Sequence, residues 1–280
     1  MTSPQHTETT GHGIAFIGGG NMASAIIGGL RKQGMPASQI QIVEPWAAQR
    51  AKLDAEFGIA AQAEPGPTLA SAGLVVWAVK PQTFRQAALQ AGPHTGQALH
   101  LSVAAGIRSG SIAGWLGTER IVRAMPNTPA LVGKGMTALF PRPAVTAADR
   151  LAIERVIQTT GKHLWLAQEQ ALDAVTALSG SGPAYVFYFI EAMVQAGSEM
   201  GLSRAQAHQF AVETFVGASA LAQASSEPPE TLRERVTSKG GTTHAALTAM
   251  EQAGVKQHFV QAMHAARQRA AALGDEFGAD

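Results

Sequence analysis

A chain of 280 residues is long for a single compact core and short for three, so two domains are expected. With 46% hydrophobic and 15% charged residues and a formal net charge of +1, the composition excludes an extended disordered chain and carries no global electrostatic footprint for nucleic acid or a polyanionic surface. There is no cysteine, which removes disulfides, thiolate zinc sites and cysteine nucleophiles and suits a reducing compartment.

The leader, residues 1–12, is polar and lacks both a basic n-region and an apolar h-region, so it reads as a mobile tail and not a signal peptide. No apolar run reaches the about 18 residues a membrane span requires. The expectation is a cytoplasmic enzyme or binding protein. From Ile14 to about Leu166, the runs "IAFIG", "IQIVE", "LVVWAV", "ALHLSV", "RIVRAM", "MTALF" and "KHLWLA" read as strands. Between them lie "MASAIIGGLRKQG", "AAQRAKLDAEFG", "FRQAALQAG" and "AADRLAIERVIQTTG", with apolar residues at helical spacing and glycine at several ends. The alternation predicts βαβ units and a mostly parallel sheet covered on both faces. From Ala171 onward the strand signal stops and the chain becomes Ala-rich and helical. These signals predict an α/β fold: a Rossmann-type dinucleotide-binding domain over 13–167, then an all-α domain over 168–280.

"GGGNMA", comprising Gly18, Gly19, Gly20, Asn21, Met22 and Ala23, follows the first strand and opens a helix. That is the G-x-G-x-x-A form of the dinucleotide fingerprint in the setting it requires. Gly18 permits a tight turn, Gly20 lets backbone approach a pyrophosphate, and Ala23 lets helix pack close to strand; the helix N-terminus offers free N–H groups to the phosphates. The second strand ends at Glu44, which either takes the adenosine ribose hydroxyls, favouring NADH, or is a solvated loop charge; Arg50 or Arg31 is the candidate to reach a 2′-phosphate from nearby.

Further along stand "AVKPQ" from Ala78, "SVAAG" from Ser102, "RAMPNTPA" from Arg123, "LSGSGPAYVFYFIEAM" and "VTSKGGTTHAAL". In that order and spacing, from Ile14 to about Glu251, the chain resembles the pyrroline-5-carboxylate reductases. The resemblance implies the last step of proline synthesis: reduction of the cyclic imine Δ1-pyrroline-5-carboxylate to L-proline with NADPH or NADH. Such a hydride transfer needs no protein nucleophile and no metal; it needs the nicotinamide held against the imine carbon and the nitrogen protonated or hydrogen-bonded.

By resemblance Ala78, Val79, Lys80 and Pro81 line the cofactor cleft, and Ala104, Ala105 and Gly106 approach the nicotinamide. Lys80 faces phosphate or ribose, or is a surface lysine before a proline turn. Asn127 either hydrogen-bonds the cofactor or caps a turn. Ser238, Gly240, Gly241 and Thr242 stand immediately ahead of a helical run, where successive backbone N–H groups make a nest for the substrate carboxylate. By resemblance the Thr243 hydroxyl meets the ring nitrogen and orients it catalytically; the alternative is that Thr243 caps the helix. Glu169 falls where the family places an acid near bound product, or is a solvated charge between domains. One departure stands out: Lys239 occupies the place where the family usually has proline, which frees φ and restores an N–H.

Tyr185 to Ile190 is apolar all round, so its helix must be buried. A helical domain of this size covers such a helix poorly alone, and the resemblance implies a homodimer interlocked through these helices, often assembled further. Two other classes stay open at this point: a related two-domain dehydrogenase or imine reductase acting on another small acid, and a non-catalytic dinucleotide-binding sensor. The first characteristically uses a lysine on a helix of the second domain, and the first long helix here has none.

Overall fold

The computed structural model describes residues 13–278; the tail expected over 1–12 lies outside the described residues. Strands β1 (Gly13–Ile17), β2 (Ile40–Val43), β3 (Ala72–Trp77), β4 (Leu99–Ser102), β5 (Ile121–Met125), β6 (Gly135–Pro141) and β7 (Gly161–Trp165) form one sheet in the order β2-β1-β3-β4-β5-β6-β7. All neighbours are parallel except β5 and β6. The exception has a local cause. The nine residues 126–134 between β5 and β6 contain only a short 3₁₀ turn, Thr128–Val132, and a parallel return needs a crossover of a dozen residues or more.

The strands are apolar runs because both faces of the sheet are covered. Helices α1 (Asn21–Lys32) and α5 (Ala147–Ile157) bury Ile26, Ile27, Leu30, Ile153 and Ile157 against Phe16, Ile42, Val76 and Leu101. On the other face α3 (Pro81–Ala91) and α4 (Ser109–Leu116) bury Phe84, Ala88 and Ile112 against Val75, Trp77 and Ile121. Helix α2 (Ala47–Phe57) adds Leu53. Among the helical stretches anticipated above, α4 is missing; Gly110 and Gly114 dilute its pattern, although Ile112, Trp115 and Leu116 keep the helical spacing.

Buried polar side chains interrupt the apolar strands, His100 among them. His100 of β4 is 1% exposed and its Nδ1 accepts from the Trp77 indole at 3.0 Å. Burial, helped by the charge of Arg120, lowers its pKa from the ordinary 6.5 to about 4. The unfolded chain therefore takes up a proton at His100 at a higher pH than the folded chain does. Stability contributed by the neutral ring is complete above the unfolded value of 6.5 and is lost as pH falls toward 4, by about 3 kcal/mol at the limit. Melting temperatures between pH 7 and pH 4 should show this slope, and His100→Phe should flatten it while lowering the neutral-pH value through the lost Trp77 bond. An unchanged slope in the variant would exclude His100 as its source.

By compactness the described chain divides into residues 13–180 with 266–278, and residues 181–265. The short helix α6 (Ala171–Val175) and a wide π-type turn, Thr176–Gly180, close the first stretch. The second unit holds α7 (Gly182–Glu199), α8 (Arg204–Ala224), α9 (Pro229–Arg235), α10 (Thr242–Gln252) and the start of α11 (Val255–Gly278). Its own core is small: Val194, Ala207 and Ala211, with Gly197 so close that a Cβ there would stand 2.9 Å from that of Ala207. The expected burial of α7 is not met within the chain, because Phe187 and Tyr188 are 61% and 69% exposed. Among the described residues no helix is long and apolar enough to cross a membrane.

Candidate active site

The strand order brings the predicted loops together. With β1 between β2 and β3, the order in which strands are added reverses at β1, and in an open α/β sheet ligands bind outside the C-terminal ends of strands at that switch point. The turn after β1, the loop after β3 and the loop after β4 are neighbours there. Their backbones are laced by Gly18 N–H to the Val43 carbonyl (2.8 Å), Ala78 N–H to the Ile17 carbonyl (2.8 Å) and Val103 N–H to the Trp77 carbonyl (3.0 Å).

Gly18 has φ +95°, and a Cβ on it would lie 2.7 Å from the Ala78 carbonyl oxygen, so only glycine fits. Gly20 caps α1 with no side-chain hydrogen bond, a Cβ on it would meet nothing within 4 Å, and no acidic residue stands in the first helical turn that Asn21 and Met22 open. Free N–H groups, the positive helix end and open space suit a pyrophosphate. Ala23 is fully buried in the face packed by α1. Lys80 caps α3 and is exposed, with Pro81 in the first turn and Val79 half-buried. Ala104 turns into the core, whereas Ala105 stays half-buried and Gly106 takes φ +79°.

Glu44 is nearly buried, and its carboxylate already serves the loops. Its Oε2 accepts from Gly19 N–H and its Oε1 from Trp46 N–H, both at 2.9 Å. Arg50 is drawn to the same bend, donating to the carbonyls of Glu44 (3.0 Å) and Pro45 (2.6 Å). A carboxylate has about four lone-pair sites, so acceptor capacity remains beside these two bonds. Arg31 donates to the Met35 carbonyl at 2.6 Å, at the far end of α1.

Two predicted residues are tied into the fold. Asn127 accepts from Met136 N–H (2.9 Å) and donates to the Ser179 hydroxyl (3.1 Å) and carbonyl (3.3 Å), pinning the β5–β6 connection to the π-type turn. Glu169 accepts from Ser109 N–H (2.6 Å), the Ser109 hydroxyl (2.7 Å) and Arg123 Nη1 (2.9 Å). Burial works to raise the Glu169 carboxyl, but these donors outweigh it and hold the pKa below the ordinary value. Arg123 is 2% exposed, and burial pulls its guanidinium pKa down against the pull of Glu169. Sequence reading passed over Arg123 and Ser109; the signal available was an arginine inside the otherwise apolar strand "IVRAM".

In the second unit the loop Ser238, Lys239, Gly240 is exposed, with Gly240 at φ +72°. The cap of α10 is Gly241, with no side-chain bond, and no acid stands in the first turn. Thr242 and Thr243 follow as the first two helical residues, both exposed. The capping alternative for Thr243 is thereby overturned, because a residue inside the first turn has its side chain past the N–H groups a cap would take. The helix start presents its orphan N–H groups without competition from its own side chains.

A mostly parallel sheet with a glycine turn and helix N-terminus at its switch point, followed in sequence by an all-helical unit, defines the class of dinucleotide-dependent oxidoreductases. Known proteins make the assignment narrower. Residues 169–273 match the family model described as pyrroline-5-carboxylate reductase dimerisation, and residues 13–106 match the one described as NADP oxidoreductase, coenzyme F420-dependent. Over 267 residues the chain is 44% identical to the pyrroline-5-carboxylate reductase of Pseudomonas aeruginosa, covering 95% of this chain and 98% of that one. The solved Coxiella burnetii reductase superposes with a TM-score of 0.86 at 32% identity, over 94% of this chain and 99% of that one. That from Plasmodium falciparum, solved with NADP bound, superposes with 0.85 at 27% identity, over 94% and 98%. The chain belongs to the pyrroline-5-carboxylate reductase family.

Proposed function

We propose that this protein reduces Δ1-pyrroline-5-carboxylate to L-proline with NADPH or NADH, as a cytoplasmic homodimer or higher homo-oligomer. The observation that carries the reading is the 44% identity to a protein of that name, sustained over nearly the whole of both chains. A cofactor domain over 13–167 and a dimerisation and substrate domain over 168–280 belong to the same proposal. It is supported by the family match that starts at residue 169, and the exposed apolar residues of α7 are the surface a second copy would cover.

When bound, the reduced nicotinamide supplies the hydride. The chain's own residues bind, orient and stabilise. Gly18 and Gly19 shape the turn, with their own N–H groups held by Val43 and Glu44; the free N–H groups from Gly20 through Ala23 receive the pyrophosphate, Ala78 to Pro81 wall the cleft, with Lys80 toward phosphate or ribose, and Ala104 to Gly106 receive the ring. Ser238, Gly240, Gly241 and Thr242 hold the substrate carboxylate at the start of α10. Thr243 hydrogen-bonds the ring nitrogen, orienting the iminium that accepts hydride and the amine that results. Asn127 and Glu169 act at one remove, because their polar atoms already hold the loops and α4.

The test is the initial rate of NADPH and, separately, NADH oxidation with and without Δ1-pyrroline-5-carboxylate, following L-proline. Proline formed in step with cofactor oxidised supports the reading; cofactor binding without proline overturns it in favour of a sensor or another substrate. Glu44→Ser should shift preference toward NADPH by removing a charge that repels a 2′-phosphate, as read from the ratio of kcat/KM for the two cofactors. Equal loss with both would mean that Glu44 serves only the glycine turn.

A further inference from the structure

The last turns of α11 lie against the loop assigned above to the nicotinamide. A Cβ on Gly106 would stand 3.1 Å from that of Leu273, and one on Gly274 would stand 2.9 Å from the Gly106 carbonyl oxygen and 3.2 Å from the Arg108 guanidinium carbon. Helix and loop thus touch backbone to backbone, which only the paired glycines allow. Beyond this contact the Ser111 hydroxyl donates to the Gly278 carbonyl at 2.9 Å. Arg108 reaches Asp275 of the helix at 3.6 Å and Asp173 at 3.4 Å. Phe277 packs on the cluster that contains Ala104, Ile107 and Ile112. Residues 274–278 lie beyond the stretch matched by the dimerisation family model.

We infer that the segment Leu273–Gly278 is a brace that sets the height of the Ala104–Gly106 loop, with Gly274 a positioning residue for hydride transfer. The inference rests on the reading of that loop as the nicotinamide site. A loop whose own residue has φ +79° is held in place by what packs on it, and here that is the end of a helix with the Arg108–Asp275 ion pair, the Ser111 bond and the Phe277 ring. Adding a methyl at Gly274 forces the Gly106 carbonyl or the Arg108 side chain to give way. A displacement on the scale of an ångström at the reacting ring is enough to slow the chemistry by up to about 10²-fold.

The experiment compares Gly274→Ala with the parent as the full-length oligomer, using single-turnover loss of reduced-nicotinamide absorbance with Δ1-pyrroline-5-carboxylate. The expected result is a hydride-transfer rate lowered about tenfold or more, with the affinity for ADP-ribose, a probe lacking nicotinamide, unchanged because the glycine turn after β1 is untouched. A merely structural role would lower the melting temperature and the active fraction and leave the rate per active site unaltered. Should Gly274→Ala fail to fold, Ser111→Ala removes the hydroxyl bond to Gly278 and should show the same split more weakly. Ala105→Phe serves as the control for the underlying reading, since it fills the space assigned to the ring. If Ala105→Phe turns over normally, the loop is not the nicotinamide site and the brace falls with it. If Ala105→Phe is inactive while Gly274→Ala and Ser111→Ala transfer hydride at the parent rate, the loop reading stands and the brace alone is overturned.

Discussion

Glu169→Ala should lower the stability of this protein by about 3–5 kcal/mol, the range found when one partner of a buried ion pair is removed. Arg123 is 2% exposed on β5, and Glu169 carries the carboxylate bonded to it at 2.9 Å, so the alanine variant leaves a guanidinium in the interior with its main counter-charge gone. Asp173 also attracts Arg123, which places the expected loss toward the lower end of the range. The same substitution strips Ser109 N–H and its hydroxyl of their acceptor and so frees the start of α4. Urea unfolding at fixed protein concentration measures the effect, since an oligomer's apparent stability depends on concentration. The paired change Arg123→Met with Glu169→Leu removes both charges and should recover most of the loss. A single-variant loss below about 1 kcal/mol, the range of an exposed pair, would mean that water replaces the carboxylate and that the network contributes little.

Thr243→Ala should reduce kcat by up to about 10²-fold, the scale on which misplacing a reacting group by about an ångström slows the chemistry, because the hydroxyl orients the ring nitrogen. Its structural setting makes the result interpretable. Gly241 caps α10 and Thr243 sits exposed in the first turn, so alanine, the best helix former, leaves the helix intact. Melting temperature and cofactor affinity should therefore stay at parent values while turnover falls, and Thr243→Ser, which keeps the hydroxyl, should recover most of it. Equal losses in turnover and cofactor affinity, or serine performing no better than alanine, would take the substrate role away from Thr243.

The amino-acid order by itself determined much of this protein. Apolar runs of strand length alternating with 3.6-period stretches are a local signal, and every strand read from them occurs. "GGGNMA" after a strand was enough to locate the turn between β1 and α1, because the φ of +95° and the close Ala78 carbonyl at Gly18 admit only glycine. The motif series carried the family. The tertiary structure decided what depends on distant partners. That Glu44 supports Gly19 at 25 residues' remove, that Glu169 answers an arginine inside β5, and that Asn127 ties a loop to a π-type turn are pairings between segments whose spacing carries no period. The capping alternative at Thr243 was undone by a two-residue difference in where α10 begins, a boundary that propensity resolves poorly. The contact of Gly274 with Gly106 is the extreme case, 168 residues apart in the chain. Two glycines in ordinary surroundings give no sign that their backbones meet, because what joins them is the path of the whole chain between.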